Sequence, residues 1–354
     1  MFDVYFQNIQ AALWNNGEGL EVSGEEAKLH MMQGTGTLVF PHVASMTPQM
    51  KMVCMQNMQQ QVKLQYVLTQ AWTALTKAGI RPVLMKGAGL AALYPSPEQR
   101  TWGDIDLFVG KDQYHPACAI MRETFPKALK FDEELDHYKH YNLIADGISI
   151  EIHRVSISFQ HPIDERHYAR MEDFGMHNGE RVMINGLEVM VPEPTFNALF
   201  VMLHSWEHMM TQGANIRQLM DLTLLLHHYK DRIDRKRLRA WLKALHALDV
   251  WHLYMWMAVK YLGLEEEWLE FRGKSLELRG DRLMNDLIAG RMVAPKEEAK
   301  AYSNRLARKW HTMQGRLANA RRIGQYSPAY ARHMKMETLM HGALRLFAKD
   351  RHWE

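Results

Sequence analysis

Two acidic residues, Asp104 and Asp106, stand one residue apart in the stretch TWGDIDLFVG, residues 101–110. On a β-strand alternate side chains point to the same face, so both carboxylates would project together. The apolar residues around them, such as Ile105 and Leu107, indicate a buried strand, where an unpaired charge is costly. Either this face is solvated or the two acids bind a cation.

A third carboxylate, Glu151, occurs in the stretch GISIEIHRV. Alternation puts it on one face with Ser149 and His153, and puts Ile150 and Ile152 on the other. If this strand neighbours the first, three acids converge at one edge of a sheet, where mutual repulsion raises carboxyl pKa values. A divalent cation removes that repulsion, and carboxylate oxygens suit Mg²⁺ or Mn²⁺.

The turn KGAG, residues 86–89, directly follows a predicted strand and opens a helix. Backbone N–H groups at a helix start, with glycine allowing close approach, form a phosphate-binding arrangement. We therefore predict nucleotide contacts from Lys86, Gly87 and Ala88; for Lys86 the alternative is that it ends its strand in water. A phosphate loop beside an acidic metal site indicates phosphoryl or nucleotidyl transfer.

Other polar residues around the acidic strand leave alternatives open. Arg100 is predicted either to bind phosphate, as part of the nucleotide site, or to pair with Glu151. The histidine-rich stretch at residues 137–140 and His153 either line the acceptor side of a cleft or are structural histidines.

The segment LMKGAGLAALYPSPEQRTWGDIDLFV, residues 84–109, followed by IEIH at 150–153, resembles a known family. It is similar to the bacterial "uncharacterised nucleotidyltransferase" family within the DNA polymerase β-type nucleotidyltransferase superfamily. Relatives also carry a helical C-terminal region with a His-containing helix like LFVMLHSWEH, residues 199–208. A looser similarity covers residues 40–260, and the chain after about residue 270 is not explained by it.

The resemblance implies a mixed sheet with flanking helices, of the α+β or α/β class, and transfer of a nucleoside monophosphate from an NTP to an acceptor hydroxyl. Asp104 and Asp106 would bind Mg²⁺, Gly87 and its neighbours would contact the triphosphate, and Glu151 would help activate the acceptor. Many superfamily members have Gly-Ser or Gly-Gly at the turn, whereas Ala88 follows Gly87 here. Phosphate contacts would then rest on backbone N–H groups and Lys86, and a catalytically silent nucleotide-binding or regulatory protein is the alternative.

A rival motif is HSWEH, residues 204–208, which fits the His-x-x-Glu-His pattern of inverted zinc peptidases. On a helix its two histidines share a face, as zinc ligands do. No third ligand is identifiable, with the acidic run at residues 265–267 only a distant candidate. Packing within a bundle, or facing the cleft, is the other interpretation. On the following helix, Arg217 and Asp221 are predicted to pair with each other at i, i+4.

Hydrophobic periodicity predicts the elements that position these residues. Helices are predicted over residues 1–30, 48–78 and 112–125, and strands over 82–85 and 104–109. Strands over 140–144 and 148–155 are predicted to face each other across the turn-like Ala145-Asp146-Gly147, and a further strand pair brackets the turn Asn185-Gly186. After Pro192 and Pro194 only helical periodicity occurs. We therefore predict a nucleotidyltransferase-like domain over 1–192, with an N-terminal helical segment, and a helical domain over 193–354.

Composition limits the protein class. With 47% hydrophobic and 23% charged residues, the 354-residue chain is typical of globular proteins. Two cysteines, no signal-like N-terminus and no long apolar run predict a cytoplasmic protein that does not span a membrane. From Lys296 onward, 13 Lys and Arg stand against 5 Asp and Glu. This basic tail is predicted to be a solvated helical face or a contact for an anionic partner such as RNA.

Overall fold

Seven strands occur in the computed structural model, which describes residues 2–14, 17–131, 135, 137–159, 161–211, 213–291 and 305–347. The strands are β1 (Val83–Met85), β2 (Asp104–Phe108), β3 (Leu129–Lys130), β4 (His140–Ala145), β5 (Ile148–His153), β6 (Glu180–Ile184) and β7 (Leu187–Val191). The α-helices are α1 (Phe2–Leu13), α2 (Gly24–Met32), α3 (Gly36–Val39), α4 (Pro48–Lys77), α5 (Gly87–Ala91), α6 (Gly110–Thr124), α7 (Pro162–His177), α8 (Pro194–Thr211), α9 (Ile216–His228), α10 (Arg235–Ala244), α11 (Leu248–Leu262), α12 (Lys274–Ile288), α13 (Arg305–Ile323) and α14 (Pro328–Phe347).

Five of the strands form one mixed sheet in the order β1-β2-β5-β4-β3, and β6 and β7 form a separate hairpin. β2 and β5 run parallel, whereas the other neighbouring pairs in the five-stranded sheet are antiparallel. The predicted mixed sheet is therefore confirmed. Because β2 and β5 are parallel, residues at equal heights on the two strands present their side chains to the same face.

Two tight turns close the predicted hairpins. Asp146 and Gly147 join β4 to β5 with φ values of 51° and 79°, and Asn185 and Gly186 join β6 to β7 with φ values of 47° and 82°. Positive φ at both central residues is the requirement of a type I′ turn, which Asp-Gly and Asn-Gly meet best. These turns fix the register of both hairpins, as the sequence predicted.

One face of the sheet is apolar and is covered by α4 and α6. Ile105, Leu107, Ile150 and Ile152 are all 0% exposed and pack in one cluster with side chains of these two helices. Full burial of each such side chain stabilises the fold by about 1.5–3 kcal/mol. The polar residues that alternate with them are consequently directed to the opposite face.

Beyond β7 the regular elements in the described part of the chain are all helical. Side chains from both sides of residue 192, such as Met85, Leu90, Leu199 and Trp206, belong to one hydrophobic cluster. The division into two domains at residue 192 stays a prediction. No helix within the described residues is both long enough and apolar enough to cross a bilayer.

The predicted single helix over residues 1–30 is wrong, because the chain forms α1 and α2 separately. Ser23 caps α2 in a reciprocal capping box with Glu26, which starts a new helix at that point. Leu20, in the connection, pairs with Val43 in an isolated β-bridge. Within the predicted basic tail, α13 and α14 are described, and residues 296–304 and 348–354 lie outside the described residues.

A buried carboxyl group, Glu172 on α7, predicts a pH dependence of stability. It accepts hydrogen bonds from the backbone N–H and the Oγ of Ser156, both at 2.6 Å, and burial raises its pKa to about 7. Because the pKa of Glu172 is higher in the folded protein than in the unfolded chain, protonated Glu172 stabilises the fold. This contribution is complete below the unfolded pKa and is lost as pH rises through 7. Between pH 4.5 and 7.5 we expect the unfolding free energy of the wild type to fall by about 3 kcal/mol more than that of Glu172→Gln. Urea unfolding measures this, with the exposed neighbour Asp173→Asn as control; parallel curves for wild type and Glu172→Gln would contradict it.

Candidate active site

Three carboxylates meet on the polar face of the sheet. Asp104 and Asp106 lie on β2, and Glu151 lies on β5 directly beside Asp106 in the parallel register. One carboxylate oxygen from each of the three lies within 4.8 Å of the others. The condition on which the sequence prediction depended, that these strands are neighbours, is met.

Asp106 is the most deeply buried of the three, at 1% exposure. Its Oδ1 lies 2.9 Å from the Lys86 ammonium and 3.0 Å from His153 Nε2. Burial raises the pKa of Asp106, but Lys86 and His153 outweigh burial and hold it well below its usual range. Its Oδ2 is buried and has no hydrogen-bond partner among the described residues. Asp106 is therefore ionised and retains one free ligand oxygen.

Asp104 and Glu151 differ in electrostatic environment. The pKa of Asp104 is raised, first by repulsion from Asp106 and then by burial, with Lys86 opposing both. Burial also raises the pKa of Glu151, but a hydrogen bond from His153 Nε2, at 3.1 Å from Glu151 Oε2, leaves it lowered. The site thus contains one carboxylate, Asp104, whose negative charge is only partly compensated by the protein.

This donor set fits a divalent cation. Hard cations such as Mg²⁺ bind carboxylate oxygens, and here three converge, one with an unpartnered oxygen and one with uncompensated charge. A second group, His140, Glu151 and His153, also has ligand atoms within 4.8 Å of one another and shares Glu151 with the first. The chain can therefore offer both an all-oxygen and a mixed nitrogen–oxygen set on the same polar face of the sheet.

The turn between β1 and α5 lies against the start of β2. Lys86 and Gly87 have φ values of 52° and 38°. A Cβ built on Gly87 would lie 3.3 Å from Cε3 of Trp102 and 3.4 Å from the carbonyl oxygen of Asp104. Glycine thus permits the close approach by which the turn holds the Lys86 side chain beside Asp106.

We expect Gly87→Ala to destabilise the fold by about 1–3 kcal/mol, because a side chain is strained at this φ and crowds Trp102. Gly103→Ala is the matched control, since a Cβ there meets nothing within 4 Å. Urea unfolding of both variants measures the difference. Equal stability of the two would show that the turn does not need glycine.

Ala88 contributes no side chain to the cleft. It is 1% exposed and packs in the hydrophobic cluster beneath the sheet with Leu84 and Ala91. Any phosphate contact from residue 88 must consequently come from its backbone N–H, as expected for alanine at this position. The nucleotide-binding roles of Lys86, Gly87 and Ala88 stay predictions.

Arg100 pairs with Asp221, the acid that the sequence pattern paired with Arg217. It forms a two-pronged ion pair with Asp221 on α9, Nε to Oδ1 at 2.7 Å and Nη2 to Oδ2 at 2.8 Å, and the Tyr94 hydroxyl donates to the same Oδ1 at 2.8 Å. Glu151, its suggested partner, is bound by His153 instead. Nη1 of Arg100 is buried and has no hydrogen-bond partner among the described residues, so a phosphate-binding role for Arg100 stays a prediction.

The predicted pairing of Arg217 with Asp221 is wrong. Asp221 is engaged by Arg100, and Arg217 donates to the backbone carbonyl and the hydroxyl of Thr101. The pattern i, i+4 brings two side chains to one helix face but does not exclude a better-placed partner from another element. Both arginine contacts fasten the residues before β2 to α9, which fixes the start of the acidic strand.

A cleft of about 120 Å³ opens beside Asp104 between the sheet and helices α8 and α9. Its lining residues come from the turn, the acidic strand and these helices: Lys86, Gly87, Leu90, Arg100, Trp102, Asp104, Val201, His204, Ser205, His208, Arg217, Gln218 and Asp221. Most of them carry a polar or charged group. The cleft therefore suits a polar ligand.

The two histidines of HSWEH face this cleft. His204 Nε2 lies 3.3 Å from Lys86 Nζ, and the rings of His204 and His208 are 4.4 Å apart. Burial, and then the Lys86 charge, lower the pKa of His204, so it is neutral at pH 7. Neither histidine belongs to the three-residue metal-ligand groups found in the described part of the chain. Of the two interpretations left open, facing the cleft is the one observed.

The stretch at residues 137–140 borders the acidic site from the other side. The His140 and His153 rings are 5.0 Å apart, and Lys139 Nζ lies 3.6 Å from Glu207 on α8. His140 is thus adjacent to the carboxylates, while Lys139 links the start of β4 to α8. Their role towards an acceptor stays a prediction.

Comparison with known proteins gives one family match. The model of the family described as "Uncharacterised nucleotidyltransferase" matches residues 33–263. A crystal structure of an antigenic nucleotidyltransferase-like protein from Paracoccidioides brasiliensis is 15% identical and covers 56% of this chain and 91% of its own, with a TM-score of 0.33. No curated protein matches the chain.

Proposed function

Since this chain belongs to the family of uncharacterised nucleotidyltransferases, we propose that it transfers a nucleoside monophosphate from an NTP to an acceptor hydroxyl. The acceptor oxygen forms a bond to the α-phosphorus, the bond between that phosphorus and the α–β bridging oxygen breaks, and pyrophosphate leaves. The observation that carries the proposal is the convergence of Asp104, Asp106 and Glu151 beside the Lys86-Gly87 turn.

The three carboxylates would hold Mg²⁺ or Mn²⁺. When bound, the cation neutralises the charge that develops on the transferred phosphate. Glu151, whose side chain is 23% exposed, would accept the proton of the acceptor hydroxyl. Asp106 is oriented by His153, so its ligand oxygen is fixed before the substrate arrives.

The turn and the helices would seat the phosphates. The Lys86 ammonium lies 2.9 Å from Asp106, and Gly87 leaves room for a phosphate to approach the backbone closely. Nη1 of Arg100, which has no hydrogen-bond partner among the described residues, is a further donor. These groups would bind the triphosphate before reaction and retain the pyrophosphate oxygens as they separate. The acceptor is left open among a small molecule, a protein side chain and an RNA end, with the basic tail a predicted RNA contact.

A second function, nucleotide binding without turnover, is favoured by two observations. The Lys86 ammonium lies 2.9 Å from Asp106 and neutralises its charge, so this carboxylate has less need of a metal ion. Ala88 provides no hydroxyl for phosphate at the turn. A regulatory protein with this site would bind an NTP and release it unchanged.

Labelled nucleotides distinguish these functions. The full chain is incubated with Mg²⁺, each NTP and an extract that retains its small molecules, proteins and RNA as acceptors, with the label on the α- or the γ-phosphate. The same mixture without the chain gives the background that is subtracted. We expect label from the α-phosphate in an acceptor and γ-label in pyrophosphate. Transfer of γ-label to an acceptor, or an NTP that is bound but never consumed, would overturn nucleotidyl transfer.

A further inference from the structure

A second cluster of metal-ligating side chains lies outside the cleft. Asp164 from the first turn of α7, His246 from the connection between α10 and α11, and His333 from α14 each place one ligand atom within 4.8 Å of the others. None of the three lines the cleft beside Asp104. We call these residues the Asp164 cluster.

The centre of the cluster is a buried carboxylate among imidazoles. Asp164 is 4% exposed; its Oδ2 lies 2.9 Å from His333 Nε2 and its Oδ1 lies 3.5 Å from His161 Nδ1. The rings of His246 and His333 stack with centroids 3.8 Å apart and an interplanar angle of 21°. Two imidazoles this close repel each other if both are protonated, whereas neutral imidazoles are metal ligands.

The backbone around each ligand is fixed by packing. His246 is exposed and has a φ of 55°, yet its neighbours Leu245 and Ala247 are buried at 1% and 0% exposure. On α14, Ala331 is buried two residues before His333. The ligands thus come from three elements whose positions do not depend on the ligands themselves, which limits the reorganisation that binding requires.

We propose that Asp164, His246 and His333 bind one Zn²⁺ ion. Nitrogen ligands combined with one carboxylate suit Zn²⁺, whereas Mg²⁺ takes oxygen ligands. Tetrahedral zinc ligands stand about 3.3 Å apart, so the loosest pair needs to close by at most about 1.5 Å. The stacked rings of His246 and His333 must also turn, so that one nitrogen of each is directed at the ion. Nδ1 of His161 lies 3.5 Å from the other carboxylate oxygen of Asp164, at the distance of an ion pair rather than of a hydrogen bond. The ion would tie α14, in the basic tail, to α7 beside the sheet.

Zinc binding to the full chain tests the proposal. The protein is stripped with EDTA and titrated with Zn²⁺ against a chromophoric chelator, in an Asp104→Asn, His140→Gln background that breaks both ligand groups on the polar face of the sheet. We expect one Zn²⁺ per chain, a melting temperature that rises with Zn²⁺, and visible absorption of a tetrahedral site when Co²⁺ replaces it. His246→Gln changes an exposed residue and should weaken binding at least 100-fold without loss of circular dichroism.

The matched control is His177→Gln. His177 is an exposed histidine on α7 that lies 3.0 Å from Asp173 but belongs to no three-residue ligand group in the described residues. It should leave Zn²⁺ affinity unchanged. Equal affinity of the background protein with and without His246→Gln, or Zn²⁺ binding to wild type that the background protein lacks, would each overturn the proposal.

Discussion

Asp104→Asn and Asp106→Asn should move stability in opposite directions while both abolish metal-dependent function. In the metal-free protein the raised pKa of Asp104 means that its ionised form is disfavoured by the fold at neutral pH, chiefly through repulsion by Asp106. Asp104→Asn removes that repulsion, so we expect a higher melting temperature in EDTA. Asp106→Asn instead leaves Lys86 and His153 buried without their counter-ion, at a cost of about 3–5 kcal/mol.

Both variants should lose nucleotidyl transfer by at least about 1,000-fold, since charge neutralisation on the transferred group contributes several kcal/mol. Thermal unfolding with EDTA and with Mg²⁺ measures the stability effects, and Mg²⁺ should raise the melting temperature of wild type but of neither site variant. Asp112→Asn, in the first turn of α6, is the control for loss of one acidic charge. A lower melting temperature for Asp104→Asn in EDTA would show that Asp104 is a structural acid rather than an unsatisfied ligand.

Asp221→Ala should be among the most destabilising substitutions in the chain. It leaves the guanidinium of Arg100, a residue that is 5% exposed, without its bidentate carboxylate partner. It also removes the acceptor of the Tyr94 hydroxyl. Breaking one side of such a buried pair costs about 3–5 kcal/mol. Because Arg100 immediately precedes the segment that leads into β2, the position of Asp104 should be disturbed as well. Urea unfolding and Mg²⁺ titration measure the two consequences.

The double variant Arg100→Met, Asp221→Leu distinguishes the cost of a buried, unpaired charge from the cost of lost side-chain packing. Replacing both partners by apolar residues removes the uncompensated charge, so it should recover most of the stability lost in Asp221→Ala. Asp281→Ala is the surface control: its pair with Lys260 at 2.6 Å is partly exposed and should contribute at most about 1 kcal/mol. Equal losses for Asp221→Ala and Asp281→Ala would contradict the anchoring role of Asp221.

Local patterns predicted much of the sheet. Alternation in DIDLF and ISIEIH placed Ile105 and Ile150 on the buried face and the acids on the other, and Asp-Gly and Asn-Gly located both hairpin turns. These signals work because strand periodicity and turn chemistry involve residues close in sequence. The same reasoning put His153 on the face of Glu151, although it could not show that one imidazole nitrogen contacts Asp106 as well.

The contacts that sequence reasoning missed are long-range. Arg100 and Asp221 are separated by 121 residues, and no local pattern marks Asp221 as the partner of Arg100 rather than of Arg217. The break between α1 and α2 was missed although Ser23 and Glu26 carry a capping signal, because apolar periodicity was followed through it. The Asp164 cluster, drawn from residues 164, 246 and 333, leaves no trace in any one stretch of sequence.

Binding of an NTP in the presence of Mg²⁺ tests the central claim most directly, because it needs no knowledge of the acceptor. Calorimetric titration of each NTP with Mg²⁺ into the wild-type chain, and into Asp104→Asn, Asp106→Asn, compares the site with and without two of its three carboxylates. We predict metal-dependent binding of at least one NTP to the wild type and its loss in the double variant, with both proteins folded by circular dichroism. Failure of every NTP to bind folded wild-type protein, or equal binding to the double variant, would contradict the assignment of Asp104, Asp106 and Glu151 as a nucleotide-metal site.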